Sequence, residues 1–430
     1  MRQLTSALII AVLAPAAHAE LTPKSHIGIA GIDFQSQLGV DYGHDDNVTY
    51  QRDSDAAIDS NFWTLTPTLK AIGERGEDRY VLMYSGEYRR YEDSSADDYD
   101  RHFMMLDTAW RFGRMHGLTF NLSQTFGQEK RGQDMSEGFD DAEFKQFGFS
   151  EGGLKNSLLD TSLRYSYSYG APEGRGKLEV MLQSKTLRFR DTDAFEQASA
   201  SFYEYLLEQE WREDSLVVDL FDQYSSKSRF RYSFITNRRY YDEAENKRSN
   251  EYYLLFGLKR ERTGKTTVEG NVALLYKEFP NDENAEDFKG FNWDLEANWK
   301  PVKHSEFTLY TWQKVKDPEQ EGGYVLEGKY GLAWTHYWWV DRFSTTLDYG
   351  YQTDDYRIPN NDRYDKTQVA KVAIGYDFRP SIRVELNYQW SDMTSNTDDV
   401  IRYGNQPGET FTRYLGYEQS LIQLLLKVQI

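Results

Sequence analysis

The sequence predicts an all-β fold: a transmembrane, antiparallel, up-and-down β-barrel of about 18 strands, with short turns at one end and long loops at the other. Three observations carry this. Apolar and polar residues alternate with period two along most of the chain. The segments between these runs are by turns tight and long. The composition is polar on average yet rich in aromatic residues.

The alternation comes first. In Arg383-Val384-Glu385-Leu386-Asn387-Tyr388-Gln389-Trp390-Ser391 the even positions are apolar or aromatic and the odd ones polar. Phe291-Asn292-Trp293-Asp294-Leu295-Glu296-Ala297-Asn298-Trp299 repeats the pattern, as do Thr267 to Glu278, Ser344 to Gln352 and Gln423 to Ile430. Successive side chains of a strand point to opposite faces, so a tilted run of about 10 such residues crosses a bilayer with one face in lipid and one in water. Such runs place strands near 34–43, 61–72, 79–92, 101–112, 117–128, 158–169, 176–190, 200–211, 215–226, 250–261, 266–278, 290–300, 305–316, 324–337, 342–355, 367–378, 381–393 and 418–430. The count is even, which returns both chain ends to the same side of the membrane.

The connections follow the same count. After even-numbered strands come Gly73-Glu74-Arg75-Gly76, Gly113 to Gly117, Gly170 to Gly176, Arg212-Glu213-Asp214, Arg262 to Lys265, Lys300 to Lys303, Val340-Asp341-Arg342 and Arg379-Pro380-Ser381. These are tight turns with Gly, Pro or Asp at the positions that need them. Odd-numbered strands end in longer charged segments, among them 44–60, 129–157, 227–249, 279–289 and 394–417. Short turns on one side and long loops on the other are the asymmetry of barrels in bacterial outer membranes.

Composition agrees. Mean hydropathy is −0.75, yet aromatics make up 15% of the chain, with 32 Tyr, 24 Phe and 10 Trp. A lipid face that alternates with a wet lumen gives this average, whereas a helical membrane protein does not. Trp110, Trp211, Trp299, Trp338 and Trp339 fall near turns, and Tyr91, Tyr276 and Tyr351 near loops, as two interfacial girdles require. Outward parity is expected for Trp110, Trp211 and Trp299; an aromatic slide for sugars is the competing reading. The chain has no Cys, which excludes disulfides and thiolate sites. The formal net charge of −19 argues against nucleic acid as a partner.

Residues 1–19 read as a signal peptide. Arg2 gives the positive start, Leu8 to Ala14 a short apolar core, and Ala17-His18-Ala19 the small residues of a cleavage site. Residues 20–33 then form a periplasmic segment and 34–430 the barrel. The last strand carries Ile422, Leu424, Leu426, Val428 and Ile430 on one face and ends on Ile, where outer-membrane barrels commonly end on an aromatic. The expected location is the outer membrane of a Gram-negative bacterium. The expected partners are outer-membrane lipids, lipopolysaccharide and the barrel-insertion machinery.

No catalytic or metal-binding pattern emerges, no cofactor is implied, and the chain does not read as an enzyme. The seven His are never at ligand spacing. The acidic pairs Asp45-Asp46, Asp140-Asp141 and Asp398-Asp399 and the run Asp97-Asp98-Tyr99-Asp100 read as solvated outer loops, with cation bridging to lipopolysaccharide the sharper alternative. A rim dyad using these acids and His102 is a further alternative. Inward parity assigns Glu87, Arg89, Arg111, Arg164, Lys185, Glu269, Lys277, Asp294, Glu296, Asp348, Arg383 and Glu385 to the lumen, a mixed and wet wall. The segment 227–249 interleaves bases and rings: Arg229, Arg231, Tyr232, Arg238, Arg239, Tyr240 and Tyr241. Read as a loop, it could meet an anionic sugar polymer, clamp lipid phosphates, or fold inward as a constriction.

Leu38 to Val48, Tyr84-Ser85-Gly86-Glu87-Tyr88 followed by Asp97-Asp98-Tyr99-Asp100, Tyr165 to Pro172 with Gly174 to Glu179, and Gly290-Phe291-Asn292-Trp293 resemble the outer-membrane barrels of the "putative β-barrel porin 2" group. The resemblance spans about residues 28–430 and rests on strands and turns. It implies association with exopolysaccharide and capsule loci. The implied function is a conduit, or accessory barrel, for export of such a polymer, with the polymer and other export components as partners. A general or sugar-selective uptake porin is the alternative, and a structural surface barrel with a blocked lumen a further one.

Overall fold

Lipid offers no hydrogen bonds, so strands can cross it only if every backbone group is answered by a neighbour and the sheet closes on itself. The computed structural model describes residues 27–29, 31–53, 56–151, 153–159, 164–171, 174–261, 264–317, 323–338, 342–358, 362–404 and 409–429. Its strands are β1 (Ile32–Asp45), β2 (Ser60–Arg75), β3 (Asp78–Tyr91), β4 (Tyr99–Phe112), β5 (His116–Gln128), β6 (in two pieces, Lys155–Leu159 and Arg164–Tyr169), β7 (Gly176–Arg190), β8 (Trp211–Ser225) and β9 (Ser228–Tyr241). There follow β10 (Ser249–Glu261), β11 (Thr266–Glu278), β12 (Phe288–Val302), β13 (Ser305–Lys316), β14 (Tyr324–Trp338), β15 (Phe343–Arg357), β16 (Tyr364–Arg379), β17 (Ile382–Ser395) and β18 (Tyr417–Gln429). Each pairs antiparallel with its sequence neighbours, and β18 pairs with β1 from Gln37↔Gln429 to Asp45↔Leu421. The short strand Ile27–Ile29 folds back on β1. The result is an 18-stranded closed antiparallel barrel.

Side-chain parity separates two environments. Leu82 on β3, Leu254 on β10 and Leu309 on β13 are each about three-fifths exposed, and Tyr165, Tyr167 and Tyr169 on β6 share the same outer face. An apolar belt of this kind is stable only against lipid. The opposite face is polar and largely buried, with Asp219, Lys277, Arg383 and Glu385 among its residues. The periplasmic connections are short, as at 76–77, 113–115 and 303–304. Gly76 and Gly113 take φ of +64° and +65° in two of them, the left-handed conformation a tight hairpin asks for.

One region departs from the expected strand map. Residues 200–211 do not form a strand. Ala200–Leu207 is a helix (α3, the last of three after α1, Asp141–Gln146, and α2, Asp193–Ala198), and the backbone N–H of Phe202 donates to the Ser199 side chain at its N-cap. Phe202, Tyr205 and Leu206 are spaced for one helical face and are buried together. Arg212, Glu213 and Asp214, expected in a turn, lie within β8 and pair with Thr186, Lys185 and Ser184 on β7. The segment 227–249, expected as a loop, is chiefly β9, paired throughout with β8 and β10. Trp211, expected to face outward, lies on the inner face of β8 with the Arg239 guanidinium 4.4 Å from its ring. One strand too many and one too few cancelled, so the total was unaffected. The leader at 1–19, residues 20–26, turn residues Thr263, Val340 and Asp341, and the terminal Ile430 lie outside the described residues.

Candidate functional site: the lumen and its outer mouth

The lumen wall is built from the inward residues of each strand, and most charges on it are paired. Glu87 accepts from the Tyr99 hydroxyl at 2.6 Å, while Arg89 donates to Thr64 at 2.9 Å and lies 4.1 Å from the Phe62 ring centre. Glu269 meets Lys259 at 2.5 Å. Lys277, wholly buried, is held between Glu251 and Asp317. Arg383 reaches Asp377 at 2.9 Å, Glu385 at 2.9 Å and the Ser344 hydroxyl at 2.9 Å. Asp348 accepts from Tyr310 at 2.9 Å. Lys185 is buried in the wall, Arg111 lies beside Ser168 near the periplasmic end, and Asp294 and Glu296 are exposed to lumen water. Arg164 occupies an inner-face position on β6, with its side chain outside the described ones.

The seven residues expected in a basic loop divide between the two faces of β9. Arg229, Arg231, Arg239 and Tyr241 turn inward. Arg231 pairs with Asp219 at 3.0 Å, Arg239 with Glu213 at 2.6 Å and Asp317 at 2.5 Å, and Arg229 lies 4.2 Å from the Phe221 ring. Tyr232, Arg238 and Tyr240 turn outward, and Tyr232 packs against Phe256 of the next strand. The structure therefore brings four of the seven into the wall and leaves three on the outer surface. His102 faces outward, stacked on Phe126 at 4.7 Å and bonded to Tyr84 at 3.0 Å. It is not part of a rim dyad.

The outer mouth holds groups that strand parity does not reveal. The connections 129–154, 191–210 and 396–416 fold onto one another around a shared apolar core that includes Phe139, Phe147, Phe149, Phe195, Phe202 and Phe411. Rings pack closely there; Phe147 and Phe202 stack at 4.2 Å. The capping box of α1, with Asp140 and Glu143 each accepting from the other's backbone N–H, fixes the turn that delivers Phe144 and Phe147.

From this core the strap 129–139 runs along the outer mouth of the barrel. At one end the Lys130 ammonium lies 4.9 Å from the ring of Tyr99 on β4. Burial pushes the Lys130 pKa down to about 8, against the pull of Glu87. At the other end Glu137 meets Arg363 and Arg413, both at 3.1 Å. Burial alone would raise the Glu137 carboxyl, but Arg413 and Arg363 outweigh it and hold it below the usual range. Arg363, almost wholly buried, also grips Asp365 at 2.6 Å and Asp399 at 3.0 Å. Asp317, in the connection after β13, is held low by Arg239 and Lys277 despite its burial. The strap thus links the outer end of the β3–β4 wall to groups flanking β16 and β18. Sequence patterns carried no signal for it, because the partners come from separate loops.

Among the described residues no cluster of His, Cys, Asp or Glu is placed to hold a metal ion, and no helix is long and apolar enough to cross a membrane. A family model described as "Putative beta-barrel porin 2" matches residues 229–404, from β9 to β17. The chain is an 18-stranded closed antiparallel β-barrel of the outer-membrane type. No curated protein sequence matches this barrel. Among solved structures, the outer membrane protein OpdK of Pseudomonas aeruginosa is similar at 9% identity over 93% of this chain and 99% of its own, with a TM-score of 0.47. OccAB4 of Acinetobacter baumannii is similar at 11% identity over 96% and 99%, TM-score 0.48. The FrpB iron transporter of Neisseria meningitidis is similar at 7% over 92% and 81%, TM-score 0.46.

Proposed function

We propose that this barrel is a selective diffusion channel that admits small hydrophilic solutes across the outer membrane. The observation that carries the reading is the strap 129–139, tied to the outer mouth at Tyr99 and at Arg363. A wall of paired charges with a strap tethered at its mouth passes small polar solutes and sorts them by charge and shape. An exported polysaccharide chain would need the strap displaced and its buried ion pairs broken, so the structure lends the export reading no support. The leader at 1–19 and the mixed-charge lumen wall belong to the same proposal: secretion, insertion beside lipopolysaccharide, and passive transport.

The test is reconstitution of the full-length barrel in planar bilayers and in liposomes. Steady single-channel currents in KCl, with swelling by mono- and disaccharides but not by dextrans, are the expected result. Absence of current would favour the blocked surface barrel. Passage of dextrans, or periplasmic build-up of polymer in a deletion strain, would overturn the proposal in favour of export.

A further inference from the structure

An outer-membrane barrel meets anionic headgroups along its outer wall, and bases that face outward at that height are drawn to them. On β7 to β9 the apolar belt ends at a row of register partners, Leu182, Leu216 and Thr236. The next outward row, about 7 Å further along the strands, is Ser184, Asp214 and Arg238, and the one beyond it Thr186, Arg212 and Tyr240. Arg188 and Arg190 continue the same face of β7. Four arginines thus crowd the outer wall of three adjacent strands, directly above the exposed side chains of Leu182 and Phe234, in a chain whose net charge is −19.

Acids stand among these bases, and their hydrogen bonds show which bases they serve. Arg188 meets Glu210 at 3.2 Å and Asp242 at 2.9 Å, and Lys155 takes Asp191 at 3.1 Å. Asp214 lies across the register from Arg238, but both of its oxygens are engaged. Its Oδ1 accepts from Ser184 at 2.7 Å and from Arg212 Nε at 3.0 Å, and its Oδ2 lies 2.8 Å from Arg212. One carboxylate is therefore shared by two exposed guanidiniums, and Arg238 makes no ion pair among the described residues. The other outward bases of the rim are arranged differently. Arg90 and Arg357 are paired with Asp100 at 2.6 Å and Asp355 at 2.7 Å, and Lys366 stands singly between Thr353 and Thr394.

We propose that the outer wall of β7 to β9 is a binding site for a phosphorylated glycolipid of the outer leaflet. A phosphate would be taken between Arg212 and Arg238, and the acyl chains would lie along Leu182, Leu216 and Phe234. A guanidinium fork matches phosphate oxygens in geometry as well as charge. Tyr240, opposite Arg212, sets an amphipathic ring at the height of the sugars. Both parts of the ligand are needed: a free phosphate ion has no chains for the belt, and a lipid without phosphate has nothing for the arginines. The binding does not rest on the channel reading, since the site lies outside the lumen.

The test is titration of the full-length barrel in dodecyl maltoside with bisphosphorylated lipid A, with complexes counted by native mass spectrometry. One lipid should bind ahead of the rest. Arg212→Gln/Arg238→Gln should weaken that first binding by about tenfold or more, as expected for hydrogen bonds between charged groups. Arg212→Lys/Arg238→Lys should recover part of it, and Asp214→Asn, which removes the competing acid, should tighten it. Lys366→Gln, on the outer face of β16, should leave it unchanged. Lipid A stripped of its phosphates should bind at least about tenfold more weakly, and so should phosphatidylglycerol. Should the glutamine pair fail to fold, Asp214→Asn and the lysine pair decide. Displacement of lipid A by inorganic phosphate at equal concentration would make this a site for the free ion and overturn the lipid reading. Unchanged binding in the arginine variants, equal loss in Lys366→Gln, or phosphatidylglycerol bound as tightly as lipid A would leave only diffuse attraction and overturn the site. Binding in detergent is read without any current, so failure of the channel reading does not alter this result.

Discussion

Replacing Arg363 by alanine is the sharpest probe of the outer mouth. Its guanidinium is buried, lies 4.2 Å from the Tyr356 ring, and joins three carboxylates: Glu137 of the strap, Asp365 at the start of β16 and Asp399 of the hairpin after β17. Burial opposes its charge, yet Glu137 and Tyr356 lead the groups that hold its pKa above the ordinary arginine value. Removing it leaves three acids facing one another with Arg413 as the remaining cation on Glu137. Breaking a buried pair on one side costs about 3–5 kcal/mol, chiefly because the partner charge stays buried. That cost falls on the strapped arrangement of the mouth and not on the closed ladder of strands. A shift of about 3 kcal/mol changes the ratio of strapped to released states by more than about a hundredfold.

The assay is single-channel recording beside limited proteolysis. Arg363→Ala should give larger or noisier currents and cleavage within 129–154, while the barrel keeps its folded mobility on gels. Arg363→Lys should fall between, since an ammonium restores charge but cannot reach three carboxylates in a fork. If Arg363→Ala conducts and resists protease like the native chain, the strap is held by something other than this hub, and the reasoning fails.

Three further outcomes follow from the same structure. Lys130, pushed down to about 8 by burial, binds fewer protons in the folded mouth than in an unfolded chain between that pH and the ordinary lysine value, so the strap gains stability as pH rises through this window. Reversal potentials in a KCl gradient should then shift toward cations between pH 7 and 9 as the ammonium is lost, and Lys130→Met should abolish the shift. Phe202→Ala removes the ring stacked on Phe147 and should cost the loop core about 3–5 kcal/mol, read as faster hydrogen exchange in 191–210 with the strand amides unchanged. Leu309→Arg, on the lipid face of β13, should cost about 2–4 kcal/mol at mid-bilayer and lower the urea midpoint of refolding into vesicles; an unchanged midpoint would place that face away from lipid.

The sequence shows the strands and their parity well because both follow from one rule, apolar side to lipid and polar side to water. Glu269, Asp294, Asp348 and Arg383 all occupy inner-face positions on their strands. The mouth was illegible for a different reason. Glu137 and Arg363 are 226 positions apart, in loops with no periodicity, and the aromatic core draws on three such loops. Nothing local in 129–154 distinguishes a segment that folds back onto the barrel from one that stays in water.

The misplaced strand shows where pattern reading fails in a water-filled barrel. In a soluble sheet buried on one side, a run as charged as Arg229-Phe230-Arg231-Tyr232 reads as exposed loop, because a buried charge is expensive. Here the lumen is wet and lined with acids, so an arginine at every second position costs little as long as its parity is inward. Asp219 and Glu213 on β8 sit across from Ser233 and Arg239 and supply the partners. Conversely, 200–211 offered rings and apolar residues, but Phe202, Tyr205 and Leu206 fall at spacings of three and one, which a strand would split between lipid and lumen and a helix keeps on one face. Charge content therefore does not separate strand from loop in such a protein. Parity does, and the test for any doubtful segment is whether its charges fall on one face and meet opposite charges across the register.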